Sequence, residues 1–133
     1  MNLPADILDQ AQFDEFIQLD DGDPTREFTK SIITNFYEQA HQTISEMEQA
    51  LSHGDHENIS RLGHFLKGSS AQIGLSRLRD TCEKIQNVGR LHKEDGNGLI
   101  KASDAIASLE TLISLAKQEY LRAEVILRQT FGD

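Results

Sequence analysis

The sequence predicts an all-α fold: an up-down-up-down four-helix bundle with a short N-terminal helix packed across one end. Three observations carry this. Apolar residues recur three or four positions apart along almost the whole chain, the period of a helix face. The only prolines are Pro4 and Pro24, so nothing interrupts the long periodic stretches. The apolar–polar alternation of half-buried strands is missing. The 133 residues, 38% hydrophobic and 26% charged, suffice for one domain with a real core. A single domain over residues 1–133 is expected, with an accessory helix at about 6–19 and the bundle at about 24–131.

The first helix is expected from about Asp6 to Leu19. At about 100° per residue, Leu8, Phe16 and Leu19 share a face. Phe13 and Ile17 fall beside it and widen the apolar stripe. Asp20-Asp21-Gly22-Asp23-Pro24 reads as a turn, with Asp23 suited to an N-cap and Pro24 to the first helical position. The second helix carries Phe28, Ile32, Phe36, Ala40, Ile44, Met47 and Leu51 inward and stops at Gly54, a C-terminal glycine. Asp55 caps a third helix with Ile59, Leu62, Leu66 and Ile73 inward, and Gly74 ends it. A fourth carries Leu75, Leu78, Cys82 and Ile85, and His92 to Asn97 forms a polar turn. The last helix repeats Leu99, Ala102, Ile106, Leu109, Ile113, Ala116, Tyr120, Ala123 and Leu127.

Charge excludes some functions. The formal net charge is −9, and residues 1–23 hold 7 of the 22 acids with no Lys or Arg. Such a field argues against nonspecific nucleic-acid binding, which needs a basic face. The acidic N-terminal segment either solvates the chain and favours helix starts, or steers a basic partner. No apolar run could span a membrane and no secretory leader is visible at the N-terminus, so no membrane association is expected. The single cysteine, Cys82, sits in an apolar stripe, cannot form an internal disulfide and fits an intracellular setting.

The stretch from Ser60 to Gly74, SRLGHFLKGSSAQIG, is the most informative. With Leu62 at zero on the wheel, the core direction lies near 40° and His64 at about 200°, nearly opposite. Ser60, Lys67, Gly68 and Ala71 share the His64 face. A histidine thus stands in solvent on a rigid helix, with a lysine at i+3 and small residues at i+4 and i+7. Glycine within a helix costs about 1 kcal/mol against alanine, and Gly68 faces outward, where helix packing does not call for it. What its missing side chain does is clear the approach to the imidazole. Lys67 suits a phosphoryl group on the ring, and an exposed imidazole is an available nucleophile. On spacing alone, a surface histidine with an incidental lysine and glycine is the favoured reading.

HFLKGSSAQIG closely resembles the signature of histidine-containing phosphotransfer (HPt) domains, roughly H-x-L-K-G-S-x-x-x-x-G, matching at His64, Leu66, Lys67, Gly68, Ser69 and Gly74. CEKIQNVGR, from Cys82 to Arg90, looks like the next helix of the fungal members, and the acidic N-terminal helix and NFYEQA (Asn35 to Ala40) are also similar to them. The resemblance departs at Leu91 to Gly98, where a fungal relative carries a long insertion and this chain a short turn.

The resemblance implies an intermediate of a multistep His–Asp phosphorelay, taking a phosphoryl group from one receiver-domain aspartate and passing it to another. Its partners would be receiver domains of a hybrid histidine kinase and of response regulators, with osmotic or oxidative stress as the fungal setting. It would be a monomer of the cytoplasm and nucleus. The chain has neither a phosphate-binding G-x-x-x-x-G-K-[ST] loop nor a kinase signature, so it is expected to be a phosphocarrier and not an enzyme in its own right. No intrinsic cofactor is implied, because Mg²⁺ would sit in the partner receiver. His64 would be the nucleophile through the ring nitrogen farther from the backbone, Lys67 would offset phosphoryl charge, and Gly68 would give access. Gln86 and Arg90, one turn apart on the next helix, would border the histidine, Gln86 orienting the ring or phosphoryl group and Arg90 supporting structure. Ser69 and Ser70 tilt coreward and read as packing. The competing reading is a helical module that docks receivers without phosphorylation, but a degenerate member should have lost His64 or Lys67.

The expected docking surface is an apolar patch beside His64: Phe13 and Ile17 from the first helix, with Phe65, Gly68, Ala71 and Gln72 from the third. Asp20, Asp21 and Asp23 would form its acidic rim. Alternatively, Phe13 and Ile17 simply anchor the first helix. His53 and His56 flank Asp55 without the spacing or further ligands of a metal site, and no metal is expected. His41 and His92 read as surface residues.

Overall fold

The computed structural model describes residues 7–20 and 27–131. The expected helix start at Asp6 and the residues Asp21, Asp23 and Pro24 lie outside them. Helix α1 spans Gln10–Ile17, followed by a 3-10 turn at Gln18–Asp20; α2 spans Glu27–Ser52, α3 His56–Ile73, α4 Ser76–Gly89 and α5 Ala102–Phe131. Consecutive long helices pack on each other, α5 closes back onto α2, and α1 lies against α3. This is the all-α bundle the periodicity calls for. Among the described residues the sole extended pairing is an isolated antiparallel bridge between His92 and Leu99. No helix among them is long and apolar enough to cross a membrane.

Helix boundaries follow local chemistry. Gly54 and Gly74 hold φ of 67° and 89°, the left-handed region where a Cβ is penalised. The Asp55 carboxylate accepts from Asn58 N at 3.2 Å, the expected N-cap of α3. At α1 the prediction starts too early. Ile7 to Asp9 are non-helical because their backbone is engaged elsewhere: Asp9 N donates to Gly74 O at 2.7 Å, and Arg77 N donates to Ile7 O at 3.3 Å. Asp9 is the true N-cap, accepting from Gln12 N.

Most of the predicted stripe is buried, with four corrections, one of them Ala102, which opens α5 and is exposed. Phe28 is 53% exposed and Thr29 takes its place inside. Residues four apart advance about 400°, so a run of fours drifts about 40° per step around a straight helix, and Phe28 has rotated off the core face that Phe36 and Ala40 occupy. Leu99 is 74% exposed because α5 begins at Ala102, leaving it in the loop. Leu19 is 56% exposed, since the α-helix whose wheel placed it inward has already ended at Ile17.

Phe13 requires the largest revision. It is fully buried, its ring 6.4 Å from Phe16 and 6.0 Å edge-on to Phe131 at the end of α5. It is an anchor of α1 to the bundle and not part of a surface patch; Ile17 remains partly exposed. His41 clasps α2 to α5. Its Nε2 lies 2.8 Å from Glu124 and its ring edge-on to Tyr120 at 5.0 Å. Burial opposes ionisation of Glu124, but hydrogen bonds from Tyr120, Arg128 and His41 outweigh it and hold the carboxyl below its usual pKa.

Candidate functional site

The closest packing in the bundle is between α3 and α4, and it builds the site. Two glycines permit it. A Cβ on Gly89 would stand 2.7 Å from Ser60 Cβ, and one on Gly63 would meet Ile85 Cγ2 at 3.0 Å. Ser60, predicted to face solvent beside His64, is instead buried, and its hydroxyl donates to Gln86 O at 2.8 Å. The wheel misplaced it by assuming one core direction, whereas α3 is covered both from the bundle centre and by α4. The signal was available: Ser60 and Gly63, small and three apart, mark a flank where another backbone comes close.

His64 emerges from this seam with its ring exposed. Its Nδ1 lies 3.4 Å from Oε1 of Gln86, a long hydrogen bond to an acceptor on a residue only 7% exposed. Where the neutral ring donates Nδ1–H to that amide oxygen, Nε2 is left with its lone pair turned outward. Gln86 is therefore no ordinary surface residue, and its backbone is fixed through Ser60.

Around the imidazole the predicted neighbours fall as follows. Lys67 is half-buried one turn on, its charge reaching as far as Cys82. Gly68 is exposed, and a Cβ there would meet no atom within 4 Å, so no packing contact explains the glycine. Phe65 is 48% exposed, Gln72 is exposed and Ala71 half-buried, all on α3. Ser69 donates to Phe65 O, and Ser70 is fully buried, which fits packing roles. Arg90, just past α4, is exposed and lines a groove of about 460 Å³ that reaches His64. Of the predicted docking acids, Asp20 ends the 3-10 turn, while Asp21 and Asp23 lie outside the described residues.

The remaining candidates are quiet. Burial, helped by the Glu119 charge, pushes the Cys82 thiol up to about 12, against its use as a nucleophile. His53 Nδ1 lies 2.9 Å from Gln49 O and His56 Nδ1 2.9 Å from Gly89 O, each ring tied to a carbonyl. Among the described residues no three His, Cys, Asp or Glu side chains cluster as metal ligands.

Comparison with known proteins agrees with this geometry. The Hpt domain model matches residues 31–119. The chain is 48% identical over 90 residues to multistep phosphorelay regulator 1 of Schizosaccharomyces pombe, covering 68% of this chain and 30% of the relative. It is 41% identical over 90 residues to the phosphorelay intermediate protein YPD1 of Saccharomyces cerevisiae, covering 66% and 52%. The matches thus span about a third to a half of these curated relatives. The structure of S. cerevisiae Ypd1 with the receiver domain of its downstream response regulator Ssk1 superposes with a TM-score of 0.82 at 28% identity, covering 98% of both chains. An exposed histidine on a helix, followed by lysine and glycine and braced by a buried glutamine, stands in a fold that matches throughout: the chain belongs to the Hpt domain family.

Proposed function

We propose that this chain is a phosphoryl carrier of a multistep His–Asp phosphorelay. A receiver-domain aspartyl phosphate gives its phosphoryl group to His64, and the aspartate of a second receiver, on a response regulator, removes it. One observation carries the reading: Gln86 engages Nδ1 of the exposed His64, which leaves Nε2 as the free ring nitrogen, and Gly68 one turn on adds no side chain beside it.

In the forward step the Nε2 lone pair attacks phosphorus, the N–P bond forms, and the P–O bond to the aspartyl carboxylate breaks. The ring keeps its Nδ1 proton and becomes cationic, so the hydrogen bond to Gln86 Oε1 strengthens as charge develops. Lys67, one turn from His64, offsets the negative phosphoryl oxygens in this reading. The reverse sequence returns the group to a second aspartate. The divalent cation of such chemistry is proposed to belong to the receiver, and the chain to act as a carrier in the cytoplasm and nucleus with no kinase or ATPase chemistry of its own.

Docking is proposed on the outer face of α3, at Phe65, Gly68, Ala71 and Gln72, joined by the partly exposed Ile17. Leu19 and Phe28, exposed at the end of the bundle where α3 finishes, extend the patch in place of Phe13. Covering it would exclude water from the reacting atoms. Asp20, Asp21 and Asp23 remain the proposed acidic rim. The test is a two-receiver relay: label on one phosphorylated receiver should move to this chain as an acid-labile, base-stable adduct and then to a second receiver. Binding to both receivers without labelled intermediate would instead favour a docking module.

A further inference from the structure

The transfer chemistry leaves one feature beside His64 unused. The groove of about 460 Å³ runs along the seam between the first half of α3 and the end of α4, lined by His56, Arg61, His64, Gly89, Arg90 and Leu91. It is a built concavity. Gly89 lets the helices meet, and His56 is fixed by its hydrogen bond to Gly89 O at 2.9 Å. Leu91 then turns the chain through a left-handed φ of 65°, leaving Arg90 exposed at the rim. Glu57 also borders the groove, so its fixed charge is two guanidinium groups against one carboxylate.

Arg61 is pre-set within this groove. Its Nε and Nη2 donate to Asn58 Oδ1 at 3.1 and 2.6 Å. A guanidinium has five N–H donors in a planar fork, and this uses two, leaving three to meet an acceptor from outside. Asn58 lies one turn before Arg61, on the side away from His64. The guanidinium is therefore drawn back along α3, held toward Asn58 at the groove's edge and off the imidazole. Its counter-charge is to be sought on a partner and not on the phosphoryl group. On the other side of His64, α1 presents exposed Asp14 and Glu15, and no base occurs in the first 23 residues. The site is thus flanked by opposite charges.

We propose that the Arg61–Arg90 groove receives an acidic side chain of the docking receiver domain, and that this pairing, opposed to the acidic α1, fixes the partner's orientation about His64. The proposal rests on the carrier reading, since it takes the partner to be a receiver. Rim charges of this kind act mainly on association rate and register.

The experiment measures association of the full chain with the receiver domain of S. cerevisiae Ssk1 by stopped flow, at low and high salt. Arg61→Glu should slow association about tenfold at low salt, with the gap closing at high salt, where exposed charges are screened. Lys117→Glu, the same charge change on α5 away from the groove, should have a much smaller effect, and a receiver acid changed to Lys should restore the rate with Arg61→Glu. Arg90→Glu supplies a second variant of the same groove. Equal losses for Arg61→Glu and Lys117→Glu, or a loss that survives high salt, overturn the proposal. So does an altered phosphohistidine lifetime with unaltered association, which would put Arg61 on the phosphoryl group. Should the wild-type chain bind this receiver but exchange no phosphoryl group with any receiver, the carrier reading fails while the groove's charge test still stands.

Discussion

Reactivity at His64 depends on what two neighbours do and do not supply. Gln86 takes one ring nitrogen at 3.4 Å and leaves the other as the proposed nucleophile; Gly68 adds no side chain, which is its proposed use. Gly68→Gln therefore separates stability from function. Glutamine favours a helix interior over glycine by several tenths of a kcal/mol, and the open space around Gly68 accepts it, so the melting temperature should hold or rise slightly. Phosphoryl acceptance should fall, because the new side chain stands over the approach to Nε2. A variant that accepts the group at the wild-type rate would assign Gly68 no part in access. This core of the site was legible in the sequence because it is local: His64, Lys67 and Gly68 lie on one helix, and a wheel suffices to place them. Gln86 needed the resemblance, since its role arises only when α4 comes alongside α3.

At the scale of elements, the α3–α4 seam sets the histidine–glutamine geometry. Gly89→Ala would force a Cβ to within 2.7 Å of Ser60 Cβ and His56 O, so the helices must part. Overpacking of this kind costs about 1–3 kcal/mol. The expected result is a clear loss of thermal stability together with slower phosphotransfer, as Gln86 moves off His64. Retention of both would mean the seam is slack. Helix identities were readable from period, caps and the glycines at 54 and 74. The seam was not, because a wheel with one core direction sends Ser60 to solvent when a second helix in fact covers it. The early start assigned to α1 has a similar origin: Ile7 and Asp9 give their backbone groups to Gly74 and Arg77, a tertiary contact no local pattern records.

For the whole molecule, the question is which residues hold the bundle and which are left for a partner. Phe13 belongs to the first set. Phe13→Ala removes a fully buried ring between Phe16 and Phe131 and should cost about 3–5 kcal/mol, seen as a large drop in melting temperature. Ile17→Ala, at a partly exposed position, should cost little stability and weaken receiver affinity by about 1 kcal/mol or more. Similar stability losses in both would place Ile17 in the core as well.

A pH test reaches the contact between α4 and α5. Burial raises the carboxyl pKa of Glu119 above 4.5, against the Thr81 hydrogen bond and the Arg77 and Lys84 charges, with Asp80 adding to the rise. A raised carboxyl pKa means that the folded state prefers the protonated form. The folded state is relatively favoured below the unfolded pKa and loses that advantage as pH rises through the folded one. Glu119→Gln, whose amide oxygen can still accept from Thr81, should melt higher than wild type at neutral pH. The gap should close once the pH falls below 4.5. A variant less stable than wild type at neutral pH would show that the cations on α4 dominate over burial.

The central claim is that His64, and no other of the five histidines, carries the phosphoryl group. Its most direct test incubates wild-type chain and His64→Gln with the same phosphorylated receiver and follows acid-labile, base-stable label. His64 is exposed, so the substitution should shift stability by no more than about 0.5 kcal/mol and leave receiver binding in place. Label is expected on the wild type and none on His64→Gln, with both proteins folded and bound to the receiver. Label persisting on the variant, at His41, His53, His56 or His92, would contradict it.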